Sequence, residues 1–335
     1  MLKKTRIAID AMGGENSPKK IIEAIKITLN KNQENFFYLF GQQDKIKKEI
    51  DKNRSISKYC EIINTNDVIS DHEGPLGAAK KWRESSMWKA IESQKDAKCD
   101  ITLSAGNTGA LLVISRLILN TIDGINKPAL AGLWPNNNGM SVVLDLGANI
   151  ECNEKNLIDF TTMGSALFKS LFNNESPRVA LLNVGLEENK GNDILKKTYS
   201  ILKEKKTRNF EFCGYIEGTQ IMDGNVDVII TDGFTGNVAL KTAEGTANFI
   251  TSELKQAMKS SIFSKLGSLI SMNSLKKFKK KLDPRLYNGA ILLGLDSPVI
   301  KSHGGTDYFG FSNSLSVCNK VISGNLIQKI KQKIN

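Results

Sequence analysis

Four short glycine-containing turns, each directly after an apolar run rich in β-branched residues, constrain the fold of this chain most strongly. They lie at residues 10–14, 104–109, 145–149 and 231–237. An apolar strand followed by a tight glycine turn and a helix is the repeating unit of a buried parallel sheet. We therefore expect an α/β protein whose parallel strands bring these turns to one edge of the sheet.

The same alternation continues along most of the chain. We predict strands at residues 5–10, 36–40, 60–63, 100–104, 141–145, 178–183, 210–215 and 227–231. We predict helices at residues 18–29, 108–119, 157–172 and 191–203, and one more that begins at about Asn237. Ser17 and Pro18 have the residue types of an N-cap and a first helical position. The pattern predicts a three-layer αβα sandwich with a mostly parallel sheet, in which residues 1–335 form one α/β domain.

The composition is typical of a soluble globular protein. Hydrophobic residues make up 40% and charged residues 24% of the chain. No apolar run approaches the roughly 20 residues of a transmembrane helix, and Asp10 interrupts the N-terminus before the apolar core of a signal peptide develops. The five cysteines are scattered without a CxxC spacing, which opposes a disulfide or metal framework. We expect a cytoplasmic protein.

A basic segment stands out in a chain of net charge +11. Residues 251–286 contain eight Lys and one Arg against one Glu and one Asp, with apolar residues at helical spacing. This predicts a basic helical excursion at about residues 253–287. Its charge could reflect lysine-rich coding, with the helices packed on the body or on a second subunit. It could instead be an amphipathic surface for a membrane or an acidic carrier protein. The absence of alternating aromatic and basic residues argues against binding of nucleic acid.

The glycine turns favour an anion site, above all for phosphate, because backbone N–H groups and helix N-termini bind anions. Glycine also serves tight turns that bind nothing, so each turn alone is weak support. No GxGxxG motif with a following acid and no P-loop is present, which opposes a nucleotide site. The substrate-binding residues expected from the turns are Asp10, Gly13, Gly14, Ser104, Asn107, Thr108, Asp145, Asn149, Asp232, Gly233, His303 and Gly304.

Lys190 and Asn237 are the expected catalytic residues. Lys190 precedes a predicted helix N-terminus, where a cation is unfavourable unless an anion lies between them, and Gly191 allows close backbone approach. Asn237 offers an amide that can donate to an oxyanion. His303 belongs to a fifth glycine turn and has either a catalytic role or a positioning role. No nucleophile elbow is present and no cysteine has a histidine nearby in sequence, which disfavours covalent catalysis. We expect neither a metal nor a cofactor.

Read in order, these stretches resemble the bacterial phosphate acyltransferases of the PlsX family. The matching residues are 9–14 with Pro18, 104–110, 127–131, 144–149, Phe160 with 163–164, 183–185 with 190–191, 231–239 and 300–304. The resemblance implies transfer of a fatty acyl group from acyl carrier protein to inorganic phosphate, giving acyl phosphate for phospholipid synthesis. It also implies a homodimer and a fold like the isocitrate and isopropylmalate dehydrogenases and the phosphotransacetylases. Lys190 and Asn237 match the family's proposed active-site residues.

Three alternatives remain beside this reading. One is a phosphotransacetylase-like enzyme that uses a coenzyme A thioester. Another is a metal-dependent decarboxylating dehydrogenase, which would need a cluster of inward-facing aspartates and a nicotinamide site. The third is a non-catalytic basic protein that binds a membrane or nucleic acid. The basic segment also predicts peripheral contact with the inner face of the membrane.

Overall fold

The computed structural model describes residues 4–172, 174–205 and 207–334. Its strands are Thr5–Asp10 (β1), Asn35–Gly41 (β2), Cys60–Asn64 (β3), Ile101–Ser104 (β4), Ala129–Pro135 (β5), Met140–Leu144 (β6), Arg178–Asn183 (β7), Glu211–Glu217 (β8), Val228–Ile230 (β9), Ala290–Leu293 (β10) and Val299–Lys301 (β11). Its α-helices are Lys19–Lys31 (α1), Gln43–Asp51 (α2), Pro75–Lys81 (α3), Ser86–Lys95 (α4), Thr108–Leu119 (α5), Glu154–Phe172 (α6), Asp193–Glu204 (α7), Gly233–Ala257 (α8), Ile262–Ile270 (α9), Met272–Lys281 (α10), Tyr308–Ser323 (α11) and Leu326–Ile334 (α12).

All the described strands form one sheet of order β3-β2-β1-β4-β11-β10-β5-β6-β9-β7-β8. Strands β3, β2, β1, β4 and β11 are mutually parallel, and so are β6, β9, β7 and β8. Between these two blocks, β11 with β10, β10 with β5, and β5 with β6 pair antiparallel. Three antiparallel pairings reverse the direction, so the two parallel blocks run opposite ways. The structure is therefore α/β with a large, mostly parallel sheet, as expected.

This reversal makes one prediction wrong. The carboxyl ends of β1 and β4 lie on one edge of the sheet, and those of β6, β9 and β7 lie on the opposite edge. The glycine turns therefore form two groups instead of one. The prediction failed because β5, β10 and β11 were not recognised as strands, and these three strands carry the antiparallel pairings.

Helices cover both faces of the sheet. Alternate strand residues point to opposite faces, so Ile7 and Ile9 belong to one buried cluster and Ala8 to another. One face packs against α1, α6 and α11, where Phe160 and Phe311 are fully buried. The other face packs against α3, α4 and α5, and further along the sheet against the apolar side of α8.

Two helix starts differ from the predictions. Helix α8 begins at Gly233, not near Asn237, because the Asp232 side chain accepts a hydrogen bond from Thr235 N at 2.8 Å and caps the helix there. Asn237 therefore lies in the second turn of α8. Ser17 was expected to cap α1 but does not, since its hydroxyl donates to the carbonyl oxygen of Gly13 at 2.6 Å and Pro18 occupies the N-cap position.

The basic segment is helical, as predicted, and consists of the end of α8 together with α9 and α10. Neither α9 nor α10 contains a buried residue, and Phe263 on α9 is 87% exposed. The helices therefore do not bury an apolar face on the body of the protein, so packing on a second subunit and contact with another partner remain as explanations. None of the described helices is both long and apolar enough to cross a membrane.

Candidate functional site

The first group of predicted residues lies at the carboxyl edge of β6, β9 and β7, which are neighbours in the sheet. Asp145 follows β6, Asp232 follows β9 and Lys190 lies in the loop that follows β7. Asn149 and Asn237 lie in the turn after β6 and in α8, respectively. Because the strands are parallel and adjacent, the loop with Lys190 and the start of the helix with Asn237 share one edge.

Asp145 organises the turn after β6. Its side chain is fully buried, and Oδ1 accepts hydrogen bonds from the backbone N–H groups of Leu130, Gly147 and Ala148 at 3.0–3.2 Å. Oδ2 accepts from Asn149 N at 2.7 Å and from Asn149 Nδ2 at 2.8 Å. Burial raises the pKa of Asp145, and these N–H donors oppose the rise. With five donors on two oxygens, Asp145 fixes the turn and has little capacity left for a substrate.

The turn after β6 also positions α8. The carbonyl oxygen of Asn149 accepts a hydrogen bond from Gly233 N at 2.7 Å, at the first residue of the helix. Gly236 also packs so closely that a Cβ there would overlap the Asp145 carbonyl oxygen. A Cβ at Gly147 would lie 3.5 Å from the Asn237 side chain, so Asn237 sits directly over this turn.

Asn237 is the amide at this edge that is still available to a ligand. Its side chain is exposed and makes no hydrogen bond to any residue that the structure describes. Asn149, in contrast, already donates through Nδ2 to Pro128 O at 2.7 Å and to Asp145. The expectation that Asn149 offers a free donor to a ligand is therefore wrong.

Lys190 is exposed, and none of the ion pairs among residues 4–172, 174–205 and 207–334 involves it. Its loop is held by Asn183, whose Nδ2 donates to Gly185 O at 3.1 Å and to Lys190 O at 3.2 Å. Gly191 has a φ of +87°, a conformation that favours glycine, and α7 begins two residues later. The expectation that Lys190 lies just before a helix N-terminus is confirmed.

The second group lies at the opposite edge, at the ends of β1, β4 and β11. Asp10 is buried and accepts hydrogen bonds from Ser86 Oγ at 2.6 Å and Ser104 Oγ at 2.7 Å. Gly106 N donates to Ser104 Oγ at 3.0 Å, so Ser104 connects the turn after β4 to Asp10 at the end of β1. Burial raises the pKa of Asp10, and the two serine hydroxyls oppose the rise. A Cβ at Gly13 would lie 2.6 Å from Gly106 N, so this close approach requires glycine.

Asn107 has a structural role at the start of α5. Its Oδ1 accepts from Ala110 N at 3.0 Å as the N-cap, while Nδ2 donates to the carbonyl oxygens of Asp71 at 3.0 Å and Glu73 at 2.9 Å. The expectation that it supplies a free donor is wrong, because a good N-cap residue was taken for a ligand-binding one. Thr108, the first residue of α5, is exposed.

His303 and Gly304 close the second group. His303 Nδ1 accepts a hydrogen bond from Gly305 N at 3.2 Å, and its own backbone N–H donates to Asn288 Oδ1 at 2.9 Å. Burial and the nearby Lys301 lower the pKa of His303. These contacts favour the positioning role over the catalytic one. The Gly304 carbonyl oxygen accepts from Glu15 N at 3.0 Å, which joins this turn to the turn after β1.

Two lysines of this second group were not singled out from the sequence. Lys20 and Lys301 are both buried, and both ammonium groups donate to backbone carbonyls of the glycine turns. A signal was available for Lys20, since it shares helical spacing with the buried Ala24 and Thr28. Lys301 had no such signal, because β11 was not predicted.

Comparison with known proteins identifies relatives over nearly the whole chain. A family model described as "Fatty acid synthesis protein" matches residues 5–329. The "Phosphate acyltransferase" of Pelagibacter ubique (strain HTCC1062) is 60% identical over 334 residues, covering 100% of both chains. The "Phosphate acyltransferase" of Rhodospirillum rubrum is 41% identical over 328 residues, covering 98% of this chain and 94% of the relative.

Solved structures with a similar fold share little sequence with this chain. A phosphotransacetylase from Streptococcus pyogenes has a TM-score of 0.64 at 15% identity, covering 98% of this chain and 95% of its own. EutD phosphotransacetylase from Staphylococcus aureus has a TM-score of 0.60 at 15% identity, covering 96% of this chain and 94% of its own. At this identity the similarity supports the fold and not the reaction.

Proposed function

Because this chain belongs to the family of phosphate acyltransferases, it is an acyltransferase, and we propose that it takes a fatty acyl group from acyl carrier protein and transfers this group to inorganic phosphate. The product would be acyl phosphate for phospholipid synthesis. The geometry that carries this proposal is the shared edge of β6, β9 and β7, with an unpaired lysine and an unengaged amide on neighbouring elements among the described residues.

The reaction needs no covalent intermediate on the protein. An oxygen of phosphate attacks the thioester carbonyl carbon, the carbon–sulfur bond breaks, and the carrier leaves as a thiolate that takes up a proton. A thioester is already activated, so the protein has mainly to hold phosphate in line with the carbonyl and to stabilise the charge that develops there.

The two catalytic residues divide this work. Lys190, with the backbone N–H groups at Gly191 and at the start of α7, holds the phosphate dianion. Asn237 donates its amide N–H to the oxyanion that forms from the carbonyl, an interaction worth roughly 3–4 kcal/mol of barrier in other enzymes. Asp145 acts through Asn237 and not on the substrate, because Asp145 fixes the turn that lies beneath Asn237.

Incubation with an acyl carrier protein thioester and radiolabelled phosphate tests the proposal. It predicts a labelled product that hydroxylamine destroys. Lys190→Ala should raise the KM for phosphate, whereas Asn237→Ala should mainly lower kcat, by about 100-fold or more, because an oxyanion donor acts on the transition state. Lys205→Ala and Asn248→Ala, both exposed, are the matched controls. Wild-type kinetics in both test variants would contradict these roles.

The choice of donor can be tested directly against the nearest alternative. We propose acyl carrier protein over a free coenzyme A thioester, and the name of the matching family, which refers to fatty acid synthesis, supports this choice. Matched acyl groups on the two donors should give a kcat/KM that is higher for the carrier-bound form. A preference for coenzyme A would instead favour a phosphotransacetylase-like activity. Absorbance at 340 nm with hydroxy acids tests the dehydrogenase alternative.

The basic helical segment is the proposed contact for an acidic carrier protein or for the inner face of the membrane. Its lysines are exposed on α10 and exposed apolar side chains lie beside them on α9. Charge reversal of four lysines separates the two partners: Lys276, Lys277, Lys279 and Lys280. Loss of turnover with the carrier-bound donor alone supports carrier docking, and loss of vesicle binding with unchanged turnover supports the membrane. If neither changes, the segment is a solvated face or a subunit contact.

Three further properties follow from the family resemblance and remain proposals. The protein is expected to be a homodimer, which sedimentation or light scattering would test. It is expected in the cytoplasm, with peripheral contact to the inner membrane face. The likeness to the isocitrate and isopropylmalate dehydrogenase fold is also a proposal, which a comparison of an experimental structure with those enzymes would test.

A further inference from the structure

Exposed apolar side chains border the candidate site at the edge of β6, β9 and β7. We call them the apolar rim: Ile150, Val184, Leu186, Phe234 and Val238. Phe234 is 61% exposed and Val184 is 82% exposed. Single exposed apolar residues are common in proteins, whereas several on neighbouring loops of one edge are typical of a surface that binds an apolar ligand or partner.

Phe234 and Val238 flank Asn237 on α8. Residues three and four positions apart are neighbours on a helix surface, with about 5–6 Å between their Cβ atoms, so Phe234 lies beside both Asn237 and Val238. Side chains on a helix lean towards its N-terminus, so Asn237 and Val238 both lean towards the turn that contains Phe234. A group that is held by the Asn237 amide is therefore within reach of these two apolar side chains.

Ile150 extends the apolar rim to the turn after β6. The carbonyl oxygen of Asn149 accepts the hydrogen bond from Gly233 N at 2.7 Å, and Ile150 and Phe234 each directly follow one of these two residues. The contact is close, because a Cβ at Gly233 would lie 2.5 Å from Asn149 O. The contact that positions the start of α8 thus also brings Ile150 and Phe234 close together.

Val184 and Leu186 extend the apolar rim to the loop that carries Lys190. Gly185 lies between them in the chain, and a Cβ there would lie 3.1 Å from Lys190 Cγ, so the aliphatic part of this lysine packs against the loop. Strand β7, which the loop follows, pairs with β9, and α8 begins three residues after β9 ends. Neighbouring strands are about 4.8 Å apart, so this loop borders the start of α8.

Of the two reactants, only the acyl donor has an apolar part that fits this surface. Asn237 is proposed to donate to the oxyanion that forms from the thioester carbonyl, and the alkyl chain is bonded to the same carbonyl carbon. The first methylenes of the chain consequently lie within a few bond lengths of Asn237. Phosphate is strongly hydrated and gains nothing from apolar contacts. The apolar rim therefore matches the acyl chain and not the acceptor.

We propose that the apolar rim binds the first methylenes of the donor's acyl chain and sets the dependence of the reaction on chain length. The identity of this chain rests on the proposed function, whereas binding of an alkyl chain at the apolar rim does not. Complete burial of one methylene corresponds to roughly a fourfold change in affinity. A surface that covers one side of the chain should give roughly twofold per methylene.

The first test compares kcat/KM for acetyl, butanoyl, octanoyl and dodecanoyl groups on the same carrier protein. Phe234→Ser should lower the ratio of kcat/KM for the dodecanoyl donor to that for the acetyl donor by about tenfold or more, because it removes a large apolar contact. Val238→Ser should lower this ratio by about threefold. Phe249→Ser is the matched control, because Phe249 is an exposed phenylalanine about 22 Å further along the same helix.

The conservative variant Phe234→Leu separates an apolar contact from a structural role. It should keep most of the wild-type dependence on chain length, since leucine also offers apolar surface. An equal loss of kcat/KM for all chain lengths in Phe234→Ser would mean that Asn237 is displaced. A change in sedimentation with an unchanged ratio would mean that the apolar rim is a subunit contact. Either result overturns the proposal, and so does a ratio in Phe234→Ser equal to that in Phe249→Ser.

Binding of dodecanoate, measured by calorimetry, decides the proposal if wild type forms no acyl phosphate. Dodecanoate has the alkyl chain but is not a thioester, so its binding does not depend on the reaction. Binding to wild type that is about tenfold weaker in Phe234→Ser, but not in Phe249→Ser, would support the apolar rim while the proposed function fails. Acyl phosphate formation with the same chain-length dependence in all variants would refute the apolar rim and leave the proposed function intact.

Discussion

Replacement of Asp145 by asparagine tests whether this carboxylate organises the candidate site. Its two oxygens accept five N–H donors, three on Oδ1 and two on Oδ2. An asparagine at this position would keep one oxygen and place an NH₂ against at least two donors that are buried or half-buried, namely both Asn149 donors or the three on Oδ1, whichever way the amide is turned. Each orphaned donor costs about 1–3 kcal/mol, so we expect Asp145→Asn to destabilise the protein by about 2–6 kcal/mol.

Thermal unfolding measures this cost. At roughly 2.1 cal/mol/K per residue, the 335 residues give an unfolding entropy near 0.7 kcal/mol/K, so a loss of about 3 kcal/mol lowers Tm by about 4 °C. Asp232→Asn is the control, because Asp232 also follows a strand but only caps α8, where Asn serves about equally well. The kcat of Asp145→Asn should also fall, since α8 and Asn237 rest on this turn. A Tm for Asp145→Asn equal to that of Asp232→Asn would refute the reasoning.

Two further predictions concern α8 and Lys301. Gly236→Ala should destabilise the protein by about 1–3 kcal/mol or more, because its Cβ would overlap the backbone carbonyl oxygen of Asp145, directly after β6. Gly245→Ala, on the same helix but with open space around it, should stabilise the protein by about 0.5–1 kcal/mol. Denaturant unfolding would compare the two variants. Burial lowers the pKa of Lys301 to about 8, below its value in the unfolded chain. Between about pH 8 and 10 the unfolded chain therefore binds a proton that the folded protein does not. The free energy of unfolding, taken relative to that of Lys301→Met, should rise with pH across that window. The charged groups facing Lys301 are Asp71, Lys20 and Asp10. A flat difference in unfolding free energy over this range would contradict the pKa shift.

The strands and helices with strong local patterns could be predicted from the sequence. Strands β1 and β7 and helix α5 have the predicted bounds, because β-branched runs and an Asn cap define them locally. Strands β10 and β11 are four and three residues long, too short for a periodic pattern to show. Missing these two strands together with β5 hid the reversal of strand direction, which is a property of long-range pairing and has no local signal.

The roles of polar residues could be predicted only in part. Asn, Asp and Ser are favoured both in ligand sites and in turns and caps, so sequence alone did not separate Asn237, which is unengaged among the described residues, from Asn107 and Asn149, which hold backbone. Whether a side chain is engaged depends on which carbonyl oxygens the fold places beside it. For Lys20 and Lys301, charge suggested exposure, and only the packing showed that both are buried.

The most direct test of the account is a single-turnover experiment with an acyl carrier protein whose acyl group is radiolabelled, quenched at short times with and without phosphate. Direct attack predicts that label passes to acyl phosphate only when phosphate is present, and that no label is bound covalently to the protein when it is absent. Label on the protein before phosphate is added, or label that never reaches phosphate, would contradict direct transfer at the edge formed by β6, β9 and β7.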